Sequence, residues 1–266
     1  MWDGGEIFTQ KHSLNIDTLI HIQKKISEKA LSSIKARLSR TPRTALGLDA
    51  AYSKRYGGVA IAALVDISNC GLIEYSVSIG EPKLEYIPGL LAFREAALFY
   101  TAIQGLKHQS YDVIVVDGHG VSHPRYAGIA THIGLALAKP SIGVAKKKLY
   151  GVLKIIKSRE SCRDFPCVIG ELIDKKRSDL VLAYAVIPKC RDKSPIYVSP
   201  GAHISLDDAY RVISSMLEKS PSKLPCPTYY ADKLSKKIAR GLDAGTLSPR
   251  SFKLGVLSTL DKYLIR

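Results

Sequence analysis

Acidic residues are scarce in this sequence. Its 266 residues hold 24 Asp and Glu against 39 Lys and Arg, a formal charge of +15. Such an excess disfavours cationic partners and attracts polyanions, of which nucleic acid is the commonest large one. A uniformly basic proteome is the other source of that balance. Long apolar runs are missing too: none approaches the roughly 20 residues that a membrane span needs, so no membrane partner is expected. The opening Met1-Trp-Asp-Gly-Gly-Glu6 lacks the basic-then-apolar layout of a secretory signal, and a cytoplasmic location is the expectation. Cysteines are few and scattered, at Cys70, Cys162, Cys167, Cys190 and Cys226, with no C-x-x-C pair. That excludes a zinc ribbon and, for a cytosolic chain, favours ordinary thiols over a disulfide framework.

What is present suffices for one sizeable core, since 46% of the residues are hydrophobic. Residues 14–39 carry Leu19, Ile22, Ile26, Ala30, Ile34 and Leu38 at helical spacing, and Thr41-Pro42 stops that helix. Three strands follow at 45–52, 59–65 and 72–79, joined by Gly57-Gly58 and Asn69-Cys70-Gly71. Then come a helix at 90–107, a strand at 111–116, a helix near 126–138 and a strand at 140–145. Further strands are expected near 152–157, 179–187 and 195–198. A helix starts at Leu206 with Ser205 and Asp208 as a capping pair, and a basic helical stretch runs from 228 to 266. This is an α/β layout: a mixed sheet of three antiparallel strands and then parallel ones, flanked by helices. One domain over residues 1–232 with a basic helical appendage at 233–266 is the simplest division.

Three acids stand where acids are costly. Asp49 lies inside an apolar strand, and Asp117 ends the apolar run Tyr111-Asp-Val-Ile-Val-Val116. Glu95 shares a helix stripe with Leu91, Leu98 and Ala102. An unpaired buried carboxylate costs several kcal/mol. Asp49 capping a turn, Asp117 in an Asx turn and Glu95 paired with Arg94 would each answer for one of them. A shared divalent cation would answer for all three, because like charges close together do not all stay ionised alone.

Other groups fit the same chemistry. Lys146 opens the run Lys146-Lys147-Lys148 directly after a strand, where an ammonium can hold a phosphate. His203 precedes a helix start, a place that welcomes anions. After Asp117, Gly118 and Gly120 allow close backbone approach to a ligand. His119 is placed to reach the region of Asp117, and His123 and Arg125 crowd the same loop, with Pro124 setting its direction.

Across residues 41–232 the sequence resembles the endonuclease V family of deoxyinosine 3′-endonucleases. The resemblance is carried by Leu48-Asp49 with Tyr52, by Glu85-Tyr-Ile-Pro-Gly-Leu-Leu-Ala-Phe-Arg-Glu95 and by Val116-Asp-Gly-His-Gly120 with His123-Pro-Arg125. It continues through Ser141-Ile-Gly-Val-Ala-Lys146 with Leu149-Tyr-Gly151, and through Ser199-Pro-Gly-Ala-His203. The resemblance implies an RNase H-like fold with a mixed five-stranded sheet, and Mg²⁺ as cofactor with Mn²⁺ able to substitute. It implies DNA containing deoxyinosine as partner, or inosine-containing RNA in some members; a monomer is the expectation. The reaction implied is hydrolysis of the second phosphodiester bond 3′ to hypoxanthine, leaving 3′-hydroxyl and 5′-phosphate.

By position, the resemblance makes Asp49, Asp117 and Glu95 the metal ligands, Lys146 the catalytic lysine and His203 the histidine beside the scissile phosphate. Tyr86, Ile87 and Pro88 become a wedge that enters the duplex where the base has flipped out. Gly89, Gly118, Gly120, Ile142, Gly143 and Leu149 are the expected lining of the lesion pocket. The sequence departs from the family at Glu85, where the wedge commonly begins with proline, and at Tyr229, where arginine is usual. Two other readings remain at this point: a different RNase H-like nuclease acting on branched DNA, and a non-catalytic nucleic-acid-binding protein.

Overall fold

A computed structural model describes residues 15–252. The sheet is assembled around β1 (Thr44–Ser53), an apolar strand with partners on both sides. β2 (Gly57–Asp66) folds back on it, and β3 (Gly71–Gly80) folds back on β2, both antiparallel. On its other side β1 runs parallel to β4 (Val113–Asp117), which runs parallel to β5 (Ser141–Ala145). Parallel neighbours need a crossover. Here α2 (Leu91–Gln104) leads into β4, and α3 (Ile129–Leu137) joins β4 to β5.

Four more strands widen the sheet: β6 (Val152–Ile155), β7 (Cys167–Ile173), β8 (Val181–Ile187) and β9 (Ile196–Ala202). All pair antiparallel, giving the order β3-β2-β1-β4-β5-β9-β8-β7-β6. The expected five-stranded unit is therefore the first part of a nine-stranded sheet. The helices α1 (Ile16–Ser33), α4 (Leu206–Lys219) and α5 (Cys226–Asp243) complete the layers.

Strand alternation sorts side chains between the faces. Leu46, Leu48, Ile114 and Val116 pack against Leu98, Phe99 and Ile133 of α2 and α3. Ala45, Val113 and Val115 join the cluster built on α4. Gly47 lies on the face covered by α5, where the backbone of Pro227 sits so close that any Cβ would collide with it. Asp49, two residues on, points to the same face.

The structure departs from the sequence expectations in four places. First, α1 stops at Ser33, short of residue 39, and beyond it the Leu38 N–H donates to the buried Asp208 carboxylate at 2.9 Å. Its buried residues are Leu19, Gln23 and Ala30, with Ile22 exposed. Second, β7 was not anticipated. Gly170 interrupts its apolar run, and two register irregularities against β8 break the alternation that marks a strand. Third, the division expected at 232/233 falls within α5, whose Leu234, Ile238 and Leu242 are buried against Val59 and Ile61. The rest of the expected basic tail, residues 253–266, lies outside the described residues. Fourth, the cysteines are not all free thiols. Cys70 in the β2–β3 turn is bonded to Cys226 at the start of α5, Cys162 is bonded to Cys167, and Cys190 is exposed and free. Among the described residues, no helix is long and apolar enough to cross a membrane.

Candidate catalytic centre and base pocket

The parallel register of β1 and β4 pairs Leu48 with Val116. One step further, Asp49 and Asp117 therefore end up side by side at the same sheet edge. From the face above, α5 lowers Asp232 onto them. Carboxylate oxygens of Asp49, Asp117 and Asp232 lie within 4.8 Å of one another. Lys146, the first residue after β5, reaches back to the same spot. Its ammonium donates to Asp117 Oδ2 at 2.6 Å and to Asp232 Oδ1 at 2.8 Å. Lys236, one turn along α5, donates to both Asp232 oxygens at 2.7 and 2.8 Å. The Ser235 hydroxyl donates to Asp49 Oδ2 at 2.9 Å.

The electrostatics show a centre in need of positive charge. Burial, then the neighbouring Asp117 charge, pushes Asp49 up to about 7. Burial also raises Asp117, although Lys146 opposes the shift. Asp232 goes the other way: burial works against it, but its bonds to Lys146 and Lys236 hold it below the usual range. Lys146 is held firmly protonated: burial opposes this, and the charges of Asp117 and Asp232 outweigh it.

Three hard carboxylate oxygens at this spacing suit Mg²⁺ or Mn²⁺, whose ligand atoms sit roughly 3–4 Å apart around the ion. The residues present thus fit the cation that the resemblance implied, with Asp232 in the place expected for Glu95. Glu95 approaches from α2 on the opposite face of the sheet. Its carboxylate accepts from the Tyr52 hydroxyl at 2.8 Å, and Arg94 Nε donates to that hydroxyl at 2.8 Å. Burial raises Glu95 to about 7, with Tyr52 and Arg94 opposing and Asp117 adding to the shift. Glu95 therefore feels the cluster without belonging to it.

His203 is a clear correction. β5 and β9 are antiparallel, with Ala145 opposite Tyr197 and Ser141 opposite Ala202. His203 follows Ala202 and so lies at the end of β5 remote from Lys146. It takes a left-handed conformation, φ +54°, before the Ser205 cap of α4, whose hydroxyl accepts from Asp208 N.

Beside the cluster opens a pocket of about 280 Å³ between α2 and α3. Of the expected residues, Tyr86, Gly89, His119, His123 and Leu149 line it, Tyr86 being 66% exposed. Ile87 and Pro88 complete the exposed turn, where Leu90 N donates to Ile87 O. Ile142 does not line the pocket: it is wholly buried in the cluster on the far face. Gly118, Gly120 and Gly143 do not line it either. A Cβ on them would meet Ile129, the Pro200 backbone and the 118–120 backbone, so these glycines serve close packing behind the site. Residues not anticipated in the lining include Gln23, Leu91, Ile129, Lys147 and Lys148. Arg125 donates to Gly89 O at 2.9 Å and to Gln23 Oε1 at 2.5 Å. Burial keeps His119 at about 4 and His123 at about 3, so both rings are neutral near pH 7.

A mixed sheet of this order, carrying clustered acids at one edge, defines a nuclease of the RNase H-like class, and known proteins identify which. The family model described as Endonuclease V matches residues 22–233. Endonuclease V of Desulfurococcus amylolyticus is 38% identical over 222 residues, covering 82% of this chain and 92% of the relative. The Bacillus subtilis Endonuclease V crystal structure superposes with TM-score 0.74 at 25% identity, covering 90% of this chain and 97% of that one. An Asp-to-Asn variant of Ciona intestinalis Endonuclease V, crystallised with a 23mer DNA containing an inosine followed by a ribo-adenosine, superposes with TM-score 0.71 at 24% identity, covering 85% and 98%. The chain belongs to the Endonuclease V family.

Proposed function

We propose that the protein hydrolyses inosine-containing DNA at the second phosphodiester bond 3′ to the lesion, in a metal-dependent repair reaction that leaves 3′-hydroxyl and 5′-phosphate. The observation that carries this reading is continuity. Asp117 of the cluster runs within two residues into His119 of the pocket, and Lys146 runs directly into Lys147, Lys148 and Leu149 of the pocket. Two extended residues span about 7 Å, so a base held in the pocket leaves its own strand passing the cluster within a nucleotide or two. The inosine-bearing DNA bound to the Ciona relative supports the same substrate class.

Asp49, Asp117 and Asp232 would hold a divalent cation, which when bound polarises the phosphate and eases deprotonation of an attacking water. Lys146 supplies an ammonium against phosphate charge, and Lys147 and Lys148 continue that charge along the strand. Ser235 orients Asp49 through its hydroxyl. Tyr86, exposed at the pocket mouth, fills the gap that a flipped base leaves in the stack. Neutral His119 and His123, with the Gly89 turn, form the pocket wall against which the base packs.

The test is a nicking assay with Mg²⁺ on end-labelled duplexes carrying one deoxyinosine or one deoxyadenosine. Cutting is expected only beside deoxyinosine, one nucleotide beyond the adjacent bond, and not at all after Asp49→Ala or Asp117→Ala, while lesion binding survives. Cutting of a branched duplex in preference to the inosine duplex would overturn the reading.

A further inference from the structure

The N-terminal helix contributes a single polar side chain to the pocket region, and that side chain is saturated. Gln23 is completely buried, on the stripe of α1 where Leu19 and Ala30 are the other buried residues. Its Nε2 donates to Gly89 O at 2.9 Å and to Ala127 O at 3.3 Å, and its Oε1 accepts from Arg125 Nε at 2.5 Å. Both amide hydrogens are engaged, so Gln23 has none left to offer a base in the pocket. A leucine at this position would serve helix packing alone, whereas a buried carboxamide is tolerated only where its polar atoms are satisfied.

The carbonyl that Gln23 grips is the anchor of the wedge. Gly89 O accepts three donors: Gln23 Nε2, Arg125 Nη2 at 2.9 Å and His123 Nε2 at 3.0 Å. His123 Nδ1 accepts from Arg125 N at 3.2 Å, which fixes its ring as the Nε2–H donor. Gly89 takes φ +82°, and a Cβ there would press on Arg125 Nη2 at 2.9 Å, so the turn has no slack. At the other end of the wedge, Arg94 Nη1 holds Leu84 O at 2.5 Å. Residues 85–88 thus form a short arch fixed at its feet, with the exposed Tyr86 near its crown.

We propose that Gln23 is a positioning residue for lesion selectivity: by clamping Gly89 and Arg125 to α1, it sets where Tyr86 stands relative to the pocket. This rests on the wedge reading given above. Gln23 touches neither the carboxylate cluster nor the exposed tip, so its effect passes through the arch.

The experiment is a double-mutant cycle on the full chain. Ratios of kcat/KM for deoxyinosine over deoxyadenosine duplexes are measured for wild type, Gln23→Met, Tyr86→Ala and the double variant. Gln23→Met keeps the volume and removes every hydrogen bond. It is expected to lower the ratio roughly tenfold in the wild-type background and to have almost no effect once Tyr86 is alanine. A general loss of structure would instead lower the ratio by the same factor in both backgrounds, and that outcome, or an unchanged ratio, overturns the proposal. Gln23→Asn, still polar but too short to span Gly89 and Arg125 together, carries the test if the methionine variant does not fold. A wild-type protein with no preference for deoxyinosine would instead contradict the function itself, before any variant is compared.

Discussion

At the residue scale the two strand acids were legible and the third was not. Asp49 and Asp117 announce themselves because each interrupts an apolar run. Asp232 hides on an amphipathic helix, where Lys236 at i+4 makes it look like an ordinary solvated pair. The one available signal was its place at the end of residues 41–232, the stretch that resembles the family, three residues after the departure at Tyr229. Glu95 was correctly placed on a buried stripe, yet burial does not say which face of the sheet its helix covers. His203 misled for a related reason: sequence order gives no strand direction, and an antiparallel β9 carries it away from the centre. A sharp contrast is expected between the two. Asp232→Asn should weaken Mn²⁺ binding at least tenfold in calorimetry and cut nicking by roughly 10²–10³, the range seen when one preorganised electrostatic group is removed from a site. His203→Ala should leave nicking within twofold of wild type. The reverse ranking would restore the histidine and remove Asp232.

At the element scale, α5 turns an RNase H-like sheet into this site. It rests directly on β1 because Gly47 has no side chain, and it carries Asp232, Ser235 and Lys236 on the turns that face the sheet edge. Its N-terminus is tied through Cys226 to the β2–β3 turn at Cys70, across a sequence separation of 156 residues. Scattered cysteines gave no hint of this, since only the fold brings residues so distant in sequence to a Cα–Cα distance of 5.7 Å. A cross-link closing so long a loop contributes about 4–5 kcal/mol by the chain-entropy argument. Reduction, or Cys226→Ser, is therefore expected to lower Tm by roughly 10 °C for a chain of this size. A Tm indifferent to dithiothreitol would contradict the bond. The widening strands β6–β9 were only partly readable. β6, β8 and β9 show apolar runs, whereas β7 loses its alternation at Gly170.

At the scale of the whole molecule, charge and protonation act together. The net charge of +15 draws the chain to a polyanion, while the acids gather at one edge of the sheet. With no cation added, burial lifts Asp49 and Glu95 to about 7, above their unfolded values near 4. Between about pH 4 and 7 the folded state then holds protons that the unfolded state has released, and these carboxyls lower stability as pH rises through that window. A divalent cation held by Asp49 displaces the proton on that carboxyl. The rise in Tm produced by Mg²⁺ should therefore grow from pH 5.5 to pH 8. The buried histidines, His119 and His123, act in the opposite sense but are present with and without the ion, so they cancel from the difference. A Mg²⁺ effect that is flat or shrinks across that range would contradict the site.

The most direct check is anomalous scattering from crystals soaked in Mn²⁺. One peak is expected between the carboxylates of Asp49, Asp117 and Asp232, with the Lys146 ammonium displaced from its bridging position. No peak there, or a peak at a different group of side chains, would contradict the account.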